Sequence, residues 1–288
     1  MKKLARIMLG ALVAFTAFNF SGCSKYDDYD HANLYSIGEF SYATTDVNRI
    51  EIDWVAGSVE IEQSASATLL VSEDAASLKN AEKMHYYIEG GVLKIKYCES
   101  NYKGKIDATN KHLRVEIPEG ISLEIDTVSA PITMGGVSLA SLSLETVSGN
   151  VTAETWNCTG SVEVDTVSGS FTIGELTAEN FESESTSGNI NISKLSVNRL
   201  DAESTSGNII LGLNKKTNAD IETTSGDITL SLLTDDGARV KFKSVSGDFK
   251  AEKEYTKSAL GYDFFGADGV STGSSIAVET VSGDLLVK

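Results

Sequence analysis

Cysteine and proline are scarce in this 288-residue chain, at 3 and 2 residues, and aromatic residues make up only 8% of it. So few cysteines exclude a small disulfide-stapled scaffold, and a 41% hydrophobic content excludes intrinsic disorder. Positive charge is also in short supply: 24 Lys and Arg face 41 Asp and Glu, for a formal charge of −17. That deficit argues against a nucleic-acid partner and against a protein face that binds anionic membrane, since either needs a basic patch to displace counterions. The three histidines, His31, His85 and His112, show no metal-ligand spacing. Past residue 22 the arginines are Arg49, Arg114, Arg199 and Arg239, too scattered for the groove of a carbohydrate-active β-helix enzyme.

The N-terminus reads as an address. Lys2, Lys3 and Arg6 flank the start of an apolar run over residues 7–20, and Ser21-Gly22 then precede Cys23, the layout of a secretory signal peptide. Phe20-Ser21-Gly22-Cys23 resembles the lipobox of bacterial lipoproteins, in which the cysteine is diacylated and becomes the first mature residue. The expectation is a signal peptide over 1–22, lipidation of Cys23 and a place at the cell outer membrane, surface-exposed or periplasm-facing. The apolar run is short for a membrane span. Cleavage removes three cations and no anion, taking the formal charge to −20, so lipid rather than protein would hold the chain at the membrane. Residues 23–35 are polar and aperiodic and read as a flexible tether. Within it, Asp27, Asp28 and Asp30 resemble the acidic export signal of Bacteroidetes-type surface lipoproteins; a plain solvated linker is the other reading.

Internal repetition dominates the rest. A Ser-Gly pair recurs with its glycine at 149, 169, 188, 207, 226, 247 and 283, with degenerate copies at Gly57 and Ala130, and the central spacing is 19 or 20 residues. Two residues after the glycine stand Val59, Ile132, Val151, Phe171, Ile190, Ile209, Ile228, Phe249 and Leu285; four after it the column is again wholly apolar. Apolar residues also lie five and seven before it, with Ser183 the one break. Period-two alternation on both sides marks half-buried strands. The inward parity changes across Ser-Gly, so the chain turns there, and the glycine is expected to supply unusual backbone angles. A unit this short cannot bury its own apolar face, but stacked units can. The predicted fold is therefore all-β: a β-solenoid, right-handed β-helix-like, of about nine coils with 19–21-residue repeats. A β-sandwich is the alternative. Residues 36–120 read as irregular first coils and an N-terminal cap, joined by a short helix or loop near 74–86. Residues 121–288 read as the regular repeat, with 251–275 an insertion or a degenerate coil.

Three before the glycine runs a column of Thr and Ser (Thr127, Thr146, Thr166, Ser185, Ser204, Thr223, Ser244, Thr280), headed by Trp54. These hydroxyls are expected to bond one another or the turn backbone; they have no His and acid partners that would activate a nucleophile. Four before it stands an outward acidic column, of which Asp126, Glu145, Asp165, Glu184, Glu203 and Glu222 form the core. It reads as a solvated face or as a weak calcium stripe. Residues 269–273 fit G-x-S-x-G, but in a Gly/Ser-rich loop without the helix that a nucleophile elbow needs, so no catalytic residue is assigned. Tyr255, Tyr262, Phe264 and Phe265 are the candidate binding patch if their segment protrudes; the other reading is a lid over the solenoid. Cys98 and Cys158 read as unpaired or buried thiols in preference to a disulfide.

The run His112-Leu113-Arg114-Val115-Glu116-Ile117-Pro118, the following Leu123-Glu124-Ile125-Asp126-Thr127-Val128-Ser129 and the repeated Thr-Val-Ser-Gly units resemble a bacterial β-strand-repeat family of domains of unknown function, named "putative adhesin". The resemblance covers about residues 46–288 and implies a repetitive all-β fold and an envelope location; it carries no catalytic residues. The functional expectation is a lipid-anchored envelope protein, non-catalytic and without cofactor, that presents an extended surface to a protein or glycan ligand. A β-helix enzyme and an envelope-stress or scaffold module acting through protein partners are the alternatives. The strand at residues 285–288 is left either capped or available for self-association through its edge.

Overall fold

The computed structural model describes residues 28–43, 47–74, 77–267, 269, 271 and 273–288. Cys23 and Asp27 therefore lie outside the described residues. Parallel strands stack coil upon coil, with equivalent repeat positions side by side: Ser161–Thr166 pairs with Asn180–Ser185, which pairs with Arg199–Ser204 and then Asn218–Thr223. After each corner a second series runs the same way, Val151–Cys158, Phe171–Thr177, Ile190–Ser196 and Ile209–Leu213. This is the β-solenoid; rung-to-rung parallel pairing of this kind is not a sandwich. Burial follows the repeat columns. Val59, Ile132, Val151, Phe171, Ile190, Ile209, Ile228 and Leu285 are all buried, as are Val137, Leu139, Leu176 and Leu195 in the return segments, and together they form one continuous core.

Stacking order departs from sequence order at both ends. The Gly57 coil lies between the Ala130 coil and a further coil made of Val92–Lys96 and His112–Ile117, because Arg49–Trp54 pairs with Ile121–Thr127 on one edge and with Val92–Lys96 on the other. That terminal coil adds one layer to those marked by the repeat, and Lys111 stands at its corner. At the other end, Ser274–Thr280 and Leu285–Val287 lie between the Gly226 coil and the Gly247 coil. The C-terminal strand is thus hydrogen-bonded on both edges, the covered one of the two arrangements left open by the sequence.

Antiparallel hairpins close the two ends. Thr68–Asp74 covers His112–Ile117, His85–Glu89 covers Val92–Lys96, and Phe40–Ala43 and Ser36–Ile37 lie outside these. At the C-terminal end Gly261–Phe264 runs antiparallel to Ala238–Ser244, with Thr256–Ser258 outermost. Residues 251–275 are accordingly a capping hairpin with its connections, not a degenerate coil. Residues 241–251, an open edge of the stack, carry Lys241, Lys243 and Lys250, side chains that discourage pairing with another sheet.

Two further expectations change. The tether is docked from Tyr29 onward: its hydroxyl donates to the Cys98 carbonyl at 3.1 Å, its ring packs 4.6 Å from Tyr35, and Tyr35 lies 5.4 Å from Tyr87. Tyr29 and Tyr35, packed in series against Tyr87, give the segment aromatic surface with which to fold back. No α-helix occurs among the described residues; near 74–86 the one helical turn is the 3-10 turn Asn80–Glu82.

Candidate functional site

Polar residues of the Thr-Val-Ser-Gly-Asn/Asp corner bond one another and the neighbouring coils. The Thr or Ser hydroxyl closes its own turn: Thr146, Ser204, Thr223 and Thr280 accept from the glycine N–H at 2.9–3.1 Å, while Thr166 and Ser185 donate to the glycine carbonyl at 2.9 and 2.7 Å. The serine beside the glycine donates to the coil beneath, as Ser168 does to the Val147 carbonyl at 3.1 Å. The Asn or Asp after the glycine accepts the N–H of its counterpart one coil on: Ser170 to Asn150, Asn208 to Asn189, Asp227 to Asn208, Asp284 to Asp227 and Asp248 to Asp284, all at 2.8–3.0 Å.

The glycine itself is required for closeness rather than for backbone angle. None of the seven Ser-Gly glycines has a positive φ; only Gly57, at +93°, does. A Cβ on Gly149, Gly169, Gly188, Gly207, Gly226, Gly283 or Gly247 would lie 2.7–2.9 Å from the carbonyl carbon of the corner beneath, and nearer still to its oxygen. The expected reason is thereby corrected: contact between coils, not strained backbone, selects glycine.

Outward from the same strands runs an acidic face. In stacking order the column four before the glycine reads Lys96, Asp53, Asp126, Glu145, Asp165, Glu184, Glu203, Glu222, Glu279, Lys243. Lys243 interrupts the carboxylates in sequence, but in space it ends them, as Lys96 does at the other end. A parallel column two residues away reads Lys94, Glu51, Glu124, Ser143, Glu163, Glu182, Asp201, Asp220, Ala277, Lys241. Cations neutralise the ends: Lys96 pairs with Asp53, Arg49 with Glu124, and Lys243 with Glu279 at 2.5 Å. Between the ends, burial first and neighbouring carboxylates second push Asp126 and Glu203 up to about 7. Burial raises Asp165 to about 7 as well, against the Glu184 N–H that donates to it at 3.1 Å. Glu145 and Glu184 are raised for the same two reasons. The carboxylates form lines rather than a ring, and among the described residues no three His, Cys, Asp or Glu side chains are grouped to hold a metal ion.

The candidate aromatics divide. Tyr262 stacks on Phe249 with ring centroids 3.7 Å apart, Tyr255 meets both rings edge-on, and Phe264 is buried. Phe264 and Tyr262 form a lid on the core; Tyr255, at 44% exposure, and Phe265, at 56%, face solvent. Phe265 borders a cavity of about 300 Å³ lined also by Leu213, Leu232, Asp235, Lys253 and Glu254.

The family model of Toastrack DUF4097 matches residues 47–288. The chain belongs to this family. Among solved structures the toastrack chain is similar to a "putative adhesin" from Bacteroides fragilis, at 16% identity, with 88% of this chain and 97% of that chain covered and a TM-score of 0.49. A "putative adhesin" from Parabacteroides merdae is 13% identical over 88% and 96%, with a TM-score of 0.48. A "putative lipid binding protein" from Parabacteroides distasonis is 17% identical over 87% and 96%, at 0.43. No curated protein matches.

One feature of this toastrack chain escaped sequence reasoning. Lys111 and Glu73 form an ion pair with both side chains fully buried in the N-terminal end. The Lys111 ammonium also donates to the Glu82 and Tyr97 carbonyls, at 3.0 and 2.5 Å, and lies 4.6 Å from the Trp54 ring and 4.4 Å from that of Tyr97. Burial lowers its pKa, with Glu73 opposing. Trp54, in the place of a hydroxyl residue, was the one trace of this cluster in the repeat. Cys98 and Cys158 are both buried with no disulfide between them, and burial pushes the Cys158 thiol up to about 12, leaving it unreactive. Ser271 of the G-x-S-x-G run is buried beside Arg239, whose guanidinium lies 3.5 Å from its hydroxyl.

Proposed function

We propose that this toastrack chain is a cell-envelope protein anchored through a lipid on Cys23, and that its rod presents the acidic face for non-catalytic contact with a protein or glycan. The observation that supports the reading is the division of labour in the repeat. The corner hydroxyls close their own turns or bond the coil beneath, the corner amides and glycines join neighbouring coils, and the neighbouring outward columns stay acidic from coil to coil. A ligand that meets this face would be cationic or rich in hydroxyl donors, and its binding would weaken with salt. The test is a glycan and matrix-protein array probed with the rod and with a variant carrying Glu163→Gln, Glu182→Gln, Asp201→Asn and Asp220→Asn. Salt-sensitive binding that the variant loses is expected; equal binding by the variant, or release of a cleaved product, overturns the reading. In cells, Cys23→Ala is expected to move the protein from the membrane to the soluble fraction.

A further inference from the structure

We propose that the Gly283 coil is an exchangeable wedge, and that a second copy of this chain can supply it: residues 274–288 of one molecule fill the slot between the Gly226 and Gly247 coils of another. Both walls of that slot precede the filler in the chain, so the filler enters between coils already made.

Its recognition is complete within residues 274–288. On one side Ser275 to Thr280 pair with Asn218 to Thr223, and on the other with Arg239 to Ser244. Leu285 faces Ile228 and Phe249. The corner bonds follow the repeat: Asp284 N–H to Asp227 at 2.9 Å, Asp248 N–H to Asp284 at 2.9 Å, and the Ser282 hydroxyl to the Thr224 carbonyl at 3.4 Å. Nothing in this set distinguishes a filler from the same chain from one belonging to a neighbour.

The walls also match each other. Since both are in register with the same filler residues, closing the empty slot would bring Gly247 over Gly226, the Asp248 N–H to Asp227, and Lys243 and Lys241 beside Glu222 and Asp220. The emptied molecule therefore has a closed form that leaves residues 274–288 available to another copy. Nine residues join Phe264 to Ser274, among them Gly266, Gly269 and Gly273, and about 30 Å of extended chain is enough to cross to a neighbouring rod. Exchange of an identical element in this way is a low-cost route to a dimer.

Cysteine pairing in co-refolded full chains tests the proposal. Thr229 and Leu286 are direct partners on adjacent strands and both face outward. Thr229→Cys and a tagged Leu286→Cys chain, each with Cys23→Ser, are unfolded, mixed, refolded and oxidised. About tenfold more disulfide-linked heterodimer is expected than when the two are folded separately and then mixed. Asn191→Cys, on the same outward column but coils away, is the register control. No heterodimer after co-refolding, while a Thr229→Cys/Leu286→Cys double variant links within one chain, overturns the proposal. So does a heterodimer that forms equally well with the Asn191→Cys chain. Should the variants fail to fold, the Cys23→Ser chain is refolded at rising concentration and sized after dilution. A dimer that persists and is suppressed by a synthetic 274–288 peptide is expected; monomer at every concentration overturns the proposal.

Discussion

The two ends of the rod share a topology and differ in how the chain reaches it. At each end a coil sits out of sequence order, but the Gly57 coil is made first and is then covered on one side by residues 92–117 and on the other by 121–139. Growth outward from an existing coil needs no insertion. At the C-terminal end the order is reversed, and the last coil must enter between two that precede it. The sealing chemistry differs as well. The N-terminal end is held by a fully buried Lys111–Glu73 pair wrapped in aromatic rings, the C-terminal end by half-exposed stacked aromatics and by Arg239 with Asp263 at 2.6 Å. A fold of repeated interfaces therefore has one end sealed by a buried ion pair and one sealed by partly exposed rings.

Substitution of twin glycines at the two ends should separate them most. Gly57→Ala meets the Lys111 carbonyl in a coil paired on both sides and adds a positive-φ penalty, so a loss above about 4 kcal/mol is expected. Gly247→Ala disturbs only the outermost coil and should cost less than half as much; equal losses in chemical denaturation would break the comparison. Next comes Lys111→Met, which strands Glu73 in the core and should cost about 3–5 kcal/mol, while Lys111→Met with Glu73→Met should recover most of it. If the single and double variants melt alike, the pair is not what seals that end.

Charge between the ends predicts a smaller effect of opposite sign. Asp126, Asp165 and Glu203 hold a proton to about pH 7 in the folded rod, against ordinary values of 3.8 and 4.5. From about pH 4 to 7 the folded state thus binds more protons than the unfolded chain, and stability contributed by these groups falls as pH rises through that window. Asp165→Asn should raise the melting midpoint at pH 8 and leave it unchanged at pH 4. Asp53→Asn, which loses its Lys96 partner at the rod's end, should not raise it at either pH. The smallest expected change is from Lys243→Ala, whose ammonium is largely exposed and whose pair with Glu279 is worth about 0.2–1 kcal/mol by a double-mutant cycle.

The columns of this fold were legible because a strand alternates and a stack repeats: Val59 and Leu285, far apart in sequence, occupy one buried column. The acidic face was legible for the same reason. The order of stacking was not, since most corners offer the same hydroxyl, carbonyl and amide to whatever lies above them. Lys243 was the exception. A cation in a carboxylate column marked a terminal coil, although its meaning emerged only once Glu279 was seen beside it. Lys111 had no such signature, because its burial depends on three separate segments that no period connects. Within the aromatic patch, packing places Phe264 and most of Tyr262 against the core and leaves Tyr255 and Phe265 outside, a division that no period in the sequence encodes.

Uniform glycine-on-carbonyl contacts have an evolutionary consequence. A gene segment encoding one 19- or 20-residue unit from the middle of the rod can be duplicated or deleted and leave behind only interfaces of a kind already present. Each such event would lengthen or shorten the rod by one strand spacing, about 4.8 Å, with both capped ends intact. The length of the rod is then a heritable quantity that changes in small equal steps, independently of the chemistry of its surface.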